Sequence, residues 1–256
     1  MEVEMPVDWD ASEYNMQHKR RGRAVIFNND TFDTEHYAPR EGSKIDVENL
    51  HKILSSLLFD VTVHHNLEYS EIRNIISKLA AEDHSDADCI AVIVLTHGEN
   101  GLLVARDSQV LYNAEILWKP FTADKCPTLA GKPKLFFIQA CRGKNLDAGI
   151  KVKMRNSEFD SSPPSYKIPT HADFLFAYST TEGFYSFRNK DTGSWFIRSL
   201  CQELNSSDNL LQMLTRANRR VAQLESDSDR MEFHEQKQVS SITSMLTRDL
   251  YFRPKT

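Results

Sequence analysis

Cysteine is scarce: the 256-residue chain has four, at 89, 126, 141 and 201, and no C-x-x-C pair. That spacing excludes a zinc knuckle and a secreted disulfide framework, and it predicts free thiols in a reducing compartment. No apolar run reaches the roughly 18 residues needed to cross a bilayer. The N-terminus MEVEMPVDWD is acidic where a secretory signal is basic and then apolar. A soluble, non-exported, cytoplasmic protein is expected. Positive charge is not in excess either. A net charge of −5 and a pI near 6.0 give no footprint for nucleic acid or an anionic membrane. The short basic cluster HKRRGR at 18–23 runs straight into an apolar segment and reads as a solvated chain entry. Internal repeats and low-complexity segments are absent.

What is present is ordinary globular material, 40% hydrophobic and 26% charged, enough for one sizeable core. RAVIFNN at 23–29 reads as a strand. Val47, Leu50, Ile53, Leu54, Leu57 and Leu58 then recur at helical spacing. FDVTVHH at 59–65 is a second strand, and Ile72, Ile75, Ile76 and Leu79 mark a second amphipathic helix. CIAVIVLTHG at 89–98 and KLFFIQA at 134–140 are apolar without alternation, as strands covered on both faces must be. DFLFAYST at 173–180 resumes the rhythm, followed by helical faces through 197–204 and 210–224 and by strand-like VSSITSML and DLYF. Alternating strands and helices predict an α/β fold, a mostly parallel central sheet with helices on both faces. Functional groups in such folds gather beyond the carboxyl ends of the strands.

Between 144 and 169 the rhythm breaks, with Ser, Asp, Lys and a Pro-Pro pair. A connection that long inside a compact domain is usually functional.

His97 and Cys141 end two of the buried strands. A lone cysteine at a strand end is ordinarily a small core residue, and a lone histidine ordinarily binds nothing. A thiol becomes a nucleophile when an imidazole can take its proton, and strands joined by a crossover can set their ends side by side. Each residue is followed closely by glycine, Gly98 and Gly143, which permits close backbone approach to a carbonyl.

QACRG at 139–143, with His97-Gly98 upstream, resembles the caspase signature. The likeness runs from about Tyr14 to Phe252, through ADKCPTLAGKPKLFFIQACRG, YSFRN at 185–189, GSWFI at 193–197 and SMLTRDLYF at 244–252, and is nearest the executioner branch. The resemblance implies a caspase-like three-layer sandwich and peptide hydrolysis after aspartate through a thioester. Cys141 would be the nucleophile, His97 the proton-transfer group, and the amides of Gly98 and Cys141 the oxyanion hole. Arg40, Gln139 and Arg188 would hold the P1 carboxylate, since guanidinium groups give carboxylates paired charge-assisted bonds. Tyr185, Phe187 and Phe233 would wall the P2 and P4 pockets, with Asn189 and Trp195 at P4. Two positions depart from the executioner pattern. Phe187 stands where tryptophan is common, and SDSDRMEF at 226–233 is acidic, so Asp227 and Asp229 would repel an acidic P4 side chain. No cofactor or metal is implied.

The same likeness implies a zymogen with a short prosegment at 1–22 and a catalytic domain at 23–256. Cleavage after Asp160 would give a large subunit ending near 160 and a small one from about 161. Asp147 is the alternative cut, and Asp8 a further aspartate in the prosegment. The prosegment is too short for a helical recruitment domain, so an upstream caspase would activate the chain. Expected partners are protein substrates with P1 Asp, caspase inhibitor proteins and a second copy, paired through the strands near 238–246.

Three rivals are distinguishable on residues. A non-catalytic decoy would lack Cys141, His97 or a P1 arginine. A clan peptidase with basic P1 preference would carry acids in place of Arg40 and Arg188. A zinc hydrolase needs a third ligand beside the adjacent His64 and His65.

Overall fold

The computed structural model describes residues 5–99, 101–107, 111–147, 169–228 and 230–255. Two β-α units open the chain: β1 (Arg23–Asn28), α1 (Ser43–Ser56), β2 (Asp60–His65) and α2 (Tyr69–Ala80). β3 (Ile90–Leu95) leads into a small antiparallel sheet of β4 (Gly98–Glu99), β5 (Leu102–Val104) and β6 (Leu111–Asn113), followed by the one-turn helix α3 (Glu115–Trp118). β7 (Lys134–Gln139) and β8 (Phe174–Tyr178) flank the long connection. A two-stranded hairpin, β9 (Arg188–Asn189) and β10 (Gly193–Ser194), precedes α4 (Trp195–Glu203), α5 (Leu210–Gln223) and β11 (Ser241–Ser244).

Six strands form the central sheet in the order β11-β8-β7-β3-β1-β2. All pairs are parallel except β11, which joins β8 antiparallel at one edge. Every residue of β3 and β7 is buried, because helices cover both faces. Val47, Leu50 and Leu54 of α1 pack with α4, α5 and one set of alternating strand residues, including Ile26, Ile93 and Phe137. Ile72, Ile76 and Leu79 of α2 pack with the other set, including Phe27, Val92 and Phe136. At about 1.5–3 kcal/mol for each fully buried large apolar side chain, these two layers drive folding.

The small β4–β6 sheet and the β9–β10 hairpin have strands of two or three residues, too short to show periodicity in sequence. DLYF at 249–252 is not a sheet strand, contrary to expectation. Its backbone serves the N-terminal segment instead: Tyr14 N–H donates to Asp249 O and Asp249 N–H to Ser12 O. Leu250 O meanwhile accepts from Leu210 N–H at the start of α5. Most of the long connection, including Asp160, and also Asp229 lie outside the described residues.

Candidate active site

Parallel register sets the centre of the site. Leu95 of β3 pairs with Gln139 of β7, and Thr96 N–H donates to Gln139 O. Two residues further along each chain stand His97 and Cys141, which share a cavity of about 250 Å³ with Gly98, Gly143 and Tyr185. A Cβ on Gly98 would sit 2.1 Å from Cys141 O, and one on Gly143 would sit 2.2 Å from Gly183 O. Only glycine lets these backbones approach so closely.

His97 Nε2 lies 2.8 Å from Ala38 O. A carbonyl only accepts, so Nε2 carries the hydrogen and Nδ1 keeps the lone pair. The ring is held between Phe32 and Tyr37, at centroid distances of 5.0 and 5.5 Å. Burial, together with the charges of Arg40 and Arg188, pushes the imidazole down to about 4, against the opposing bond to Ala38. Burial also raises the Cys141 thiol, while Ser186 and the two arginines pull it back. At neutral pH the resting pair is an uncharged thiol and an uncharged imidazole. Cys141 Sγ rests against the Ser186 backbone, 3.5 Å from its N and 3.8 Å from its O. The other three thiols are also raised by burial, Cys201 to about 12.

The depressed His97 makes a stability prediction. Unfolded, the imidazole takes its proton near pH 6.5; folded, only near 4. Between those values the unfolded chain binds more protons, so the contribution is fully present above 6.5 and is lost as pH falls toward 4. Lowering the pH from 6.5 to 4 therefore reduces the unfolding midpoint of the wild type more than that of His97→Gln. Equal losses in a thermal melt series would show that His97 titrates normally.

Arg40 is buried at the entrance to α1. Its Nη1 donates to Ser43 Oγ at 2.8 Å and Asn29 O at 3.3 Å, while Nε and Nη2 are buried without partners. Gln139 Nε2 donates to Ser186 Oγ at 2.8 Å and its Oε1 is likewise unpartnered. Arg188 Nε donates to Glu41 O at 2.8 Å, which ties β9 to the segment entering α1. Burial and then Arg188 push Arg40 down to about 9, and both guanidiniums act electrostatically on Cys141. Two cations in one recess with unpartnered donors form a ready acceptor for a carboxylate.

Around this recess, Phe187 stacks on the buried Trp195 at 4.9 Å and Tyr185 meets Phe233 edge-on at 5.5 Å. Asn189 uses its Oδ1 to hold the β9–β10 turn, accepting from Asp191 and Thr192 N–H. Asp227 is exposed and lies 3.5 Å from His234. Arg142 of QACRG turns away, its guanidinium 4.2 Å over the Tyr178 ring.

Sequence reasoning missed several groups. Gln238 accepts from Phe187 N–H at 2.6 Å and donates to Ser179 O, fixing the 185–189 segment to the sheet. Ser43, Ser186 and the buried Asp46, bonded to Ser194, carried no signal because each reads as ordinary polar surface. A larger cavity of about 430 Å³ between α1 and α4 contains none of the groups around Cys141. Among the described residues no three His, Cys, Asp or Glu converge as a metal-ligand set, and no helix is long and apolar enough to cross a membrane.

Residues 21–251 match the family described as "Caspase domain". The chain belongs to the caspase family. It is 52% identical to caspase-1 of Spodoptera frugiperda over 98% of this chain and 85% of that protein. It is 49% identical to caspase drICE of Drosophila melanogaster, over 99% of this chain and 76% of that one. The crystal structure of the Spodoptera frugiperda caspase-1 superposes with a TM-score of 0.92, at 50% identity over 100% of this chain and 99% of that one. The fold is the caspase α/β sandwich. The chain is an effector caspase, a cysteine endopeptidase that cuts proteins after aspartate in apoptosis and is made as a zymogen. Family membership also brings a dimeric assembly.

Proposed function

We propose that Cys141 is the nucleophile of this caspase and His97 its proton-transfer group. The observation that carries this reading is the Leu95–Gln139 register, which brings both residues into one cleft with the unpartnered donors of Arg40. When a peptide enters, the thiol proton passes to His97 Nδ1 as sulfur attacks the scissile carbonyl. Tight thiol–imidazole contact forms in the complex and not before it, as is common in free enzymes. The negative oxygen is stabilised by the amides of Gly98 and Cys141. His97 then protonates the leaving amine, which leaves a thioester on Cys141. Water, deprotonated by His97, attacks that thioester, releases the carboxylate and restores the thiol.

Arg40, Gln139 and Arg188 bind the P1 carboxylate. Tyr185, Phe187 and Phe233 wall P2 and P4, and Asn189 and Trp195 border P4. The exposed acidic segment near Asp227 disfavours an acidic P4 residue. Residues 1–22 are a prosegment and 23–256 the catalytic domain, cut after Asp160 by an upstream caspase into large and small subunits. Asp147 is the weaker choice, since Lys237 N–H donates to its carbonyl at 2.8 Å and holds the backbone. β11, at the open edge of the sheet, pairs with its copy across the two-fold axis. Inhibitor proteins bind the same cleft, and four free thiols suit a cytoplasmic enzyme.

The test is hydrolysis of a matched tetrapeptide series ending in Asp, Asn, Glu or Arg by enzyme cleaved at the loop. Cleavage confined to P1 Asp is expected. Turnover of P1 Arg would sink the assignment of the arginine recess.

A further inference from the structure

We infer that Asp46 is the buried counter-ion of the Arg40–Arg188 pair, a positioning residue that holds the P1 recess at one net positive charge. The inference rests on the P1 reading of those two arginines.

An acid in the first turn of a helix is ordinarily solvated and favourable to the helix dipole. Asp46, in the first turn of α1, instead points inward and is fully buried. Its Oδ1 accepts from Ser194 N–H at 2.8 Å and its Oδ2 from Ser194 Oγ–H at 2.5 Å. Ser194 closes β10 and heads α4. The contact thus clasps the hairpin that starts at Arg188 to the helix that follows Arg40.

The arginines need an anion. Arg40 is fully buried and Arg188 mostly so, and among the described residues neither has a carboxylate within ion-pair distance. Three acids act on them from nearby. Glu41 is exposed and paired with Lys190. Asp30 is engaged by Asn28 and Asn66. Asp46 is the buried one and the strongest of the acids on both guanidiniums. Burial raises its carboxyl, while Ser194 and then Arg40 and Arg188 pull it back.

Two guanidiniums and one carboxylate leave a single positive charge, which one P1 carboxylate neutralises. Without Asp46 two like charges would be buried together with no anion, at a steep cost to folding. The same loss would leave the recess more positive and its hold on a carboxylate stronger. Asp46 therefore trades substrate affinity for stability of the empty enzyme.

The test uses the processed enzyme and a tetrapeptide aldehyde ending in Asp, with the Asn aldehyde as control. Asp46→Asn keeps the shape and both Ser194 contacts, with Oδ1 accepting and Nδ2 donating, and removes only the charge. Its Tm without ligand is expected to fall while the Ki of the Asp aldehyde falls about tenfold. Combining D46N with R188Q should return the Tm toward wild type, because it removes one of the two like charges. Ser194→Ala, which loosens the clasp but keeps the charge, should lower Tm without lowering Ki. A D46N enzyme with raised Ki, or no rescue by R188Q, would mean that Asp46 is only a structural clasp and would overturn the inference. Should D46N alone not fold, folding of D46N/R188Q is the rescue, and its failure to fold overturns the inference too. If wild type does not distinguish the Asp from the Asn aldehyde, the P1 reading falls and takes this inference with it.

Discussion

Cys141→Ala is expected to lower kcat on a P1-Asp tetrapeptide by roughly 10⁴- to 10⁶-fold, the range seen when a nucleophile acting with its base is removed. No other thiol replaces it. Cys89 and Cys126 are buried inside the two core layers, and Cys201 sits by the cavity between α1 and α4 with its thiol pushed up to about 12. Peptide binding should survive, because Arg40, Gln139 and Arg188 do not depend on the sulfur for their backbone and side-chain bonds. The check is kcat from single-turnover kinetics beside the Kd of an uncleaved peptide by calorimetry. Activity within a hundredfold of wild type would remove Cys141 from the nucleophile's role.

Arg40→Gln should lower kcat/KM for P1 Asp by about 30- to several-thousand-fold, equivalent to the ~2–5 kcal/mol of leaving one charge of a buried pair unmatched. The Nε and Nη2 donors that have no partner in the free enzyme are lost, and the carboxylate then meets only Arg188. Discrimination between P1 Asp and P1 Asn should shrink with it. Stability should move the other way. Burial and Arg188 both push Arg40 down toward 9, so its charged form is disfavoured by folding. Removing that charge relieves the recess, and Tm is expected not to fall. Steady-state kinetics on the Asp and Asn peptides, with a thermal melt of the same preparation, separate the two effects. A variant that loses activity and stability in parallel would make Arg40 a packing residue.

The local code of this chain was legible at the level of elements. Six buried residues in a row announced β3 and β7, and the spacing of Ile72, Ile76 and Leu79 announced the inner face of α2. Both signals depend only on which side of an element meets the core. Strand ends were equally legible, so His97 and Cys141 were visible as terminal residues. Arg40, Gln139, Arg188 and the aromatic wall were named through family resemblance, since a single arginine or phenylalanine has no periodic signature.

By itself the sequence determined the α/β alternation, the two helix faces and the strand ends that carry the histidine and the cysteine, because these follow from side-chain pattern within a dozen residues. Only the tertiary structure decided that Leu95 faces Gln139 and so His97 comes to Cys141, and that Ala38 O fixes the imidazole tautomer. It alone turned Asp46 inward to Ser194 and gave the backbone of DLYF to the N-terminal segment. The physical reason is common to all four: a buried polar group must find its partner, and here each partner comes from a distant part of the chain.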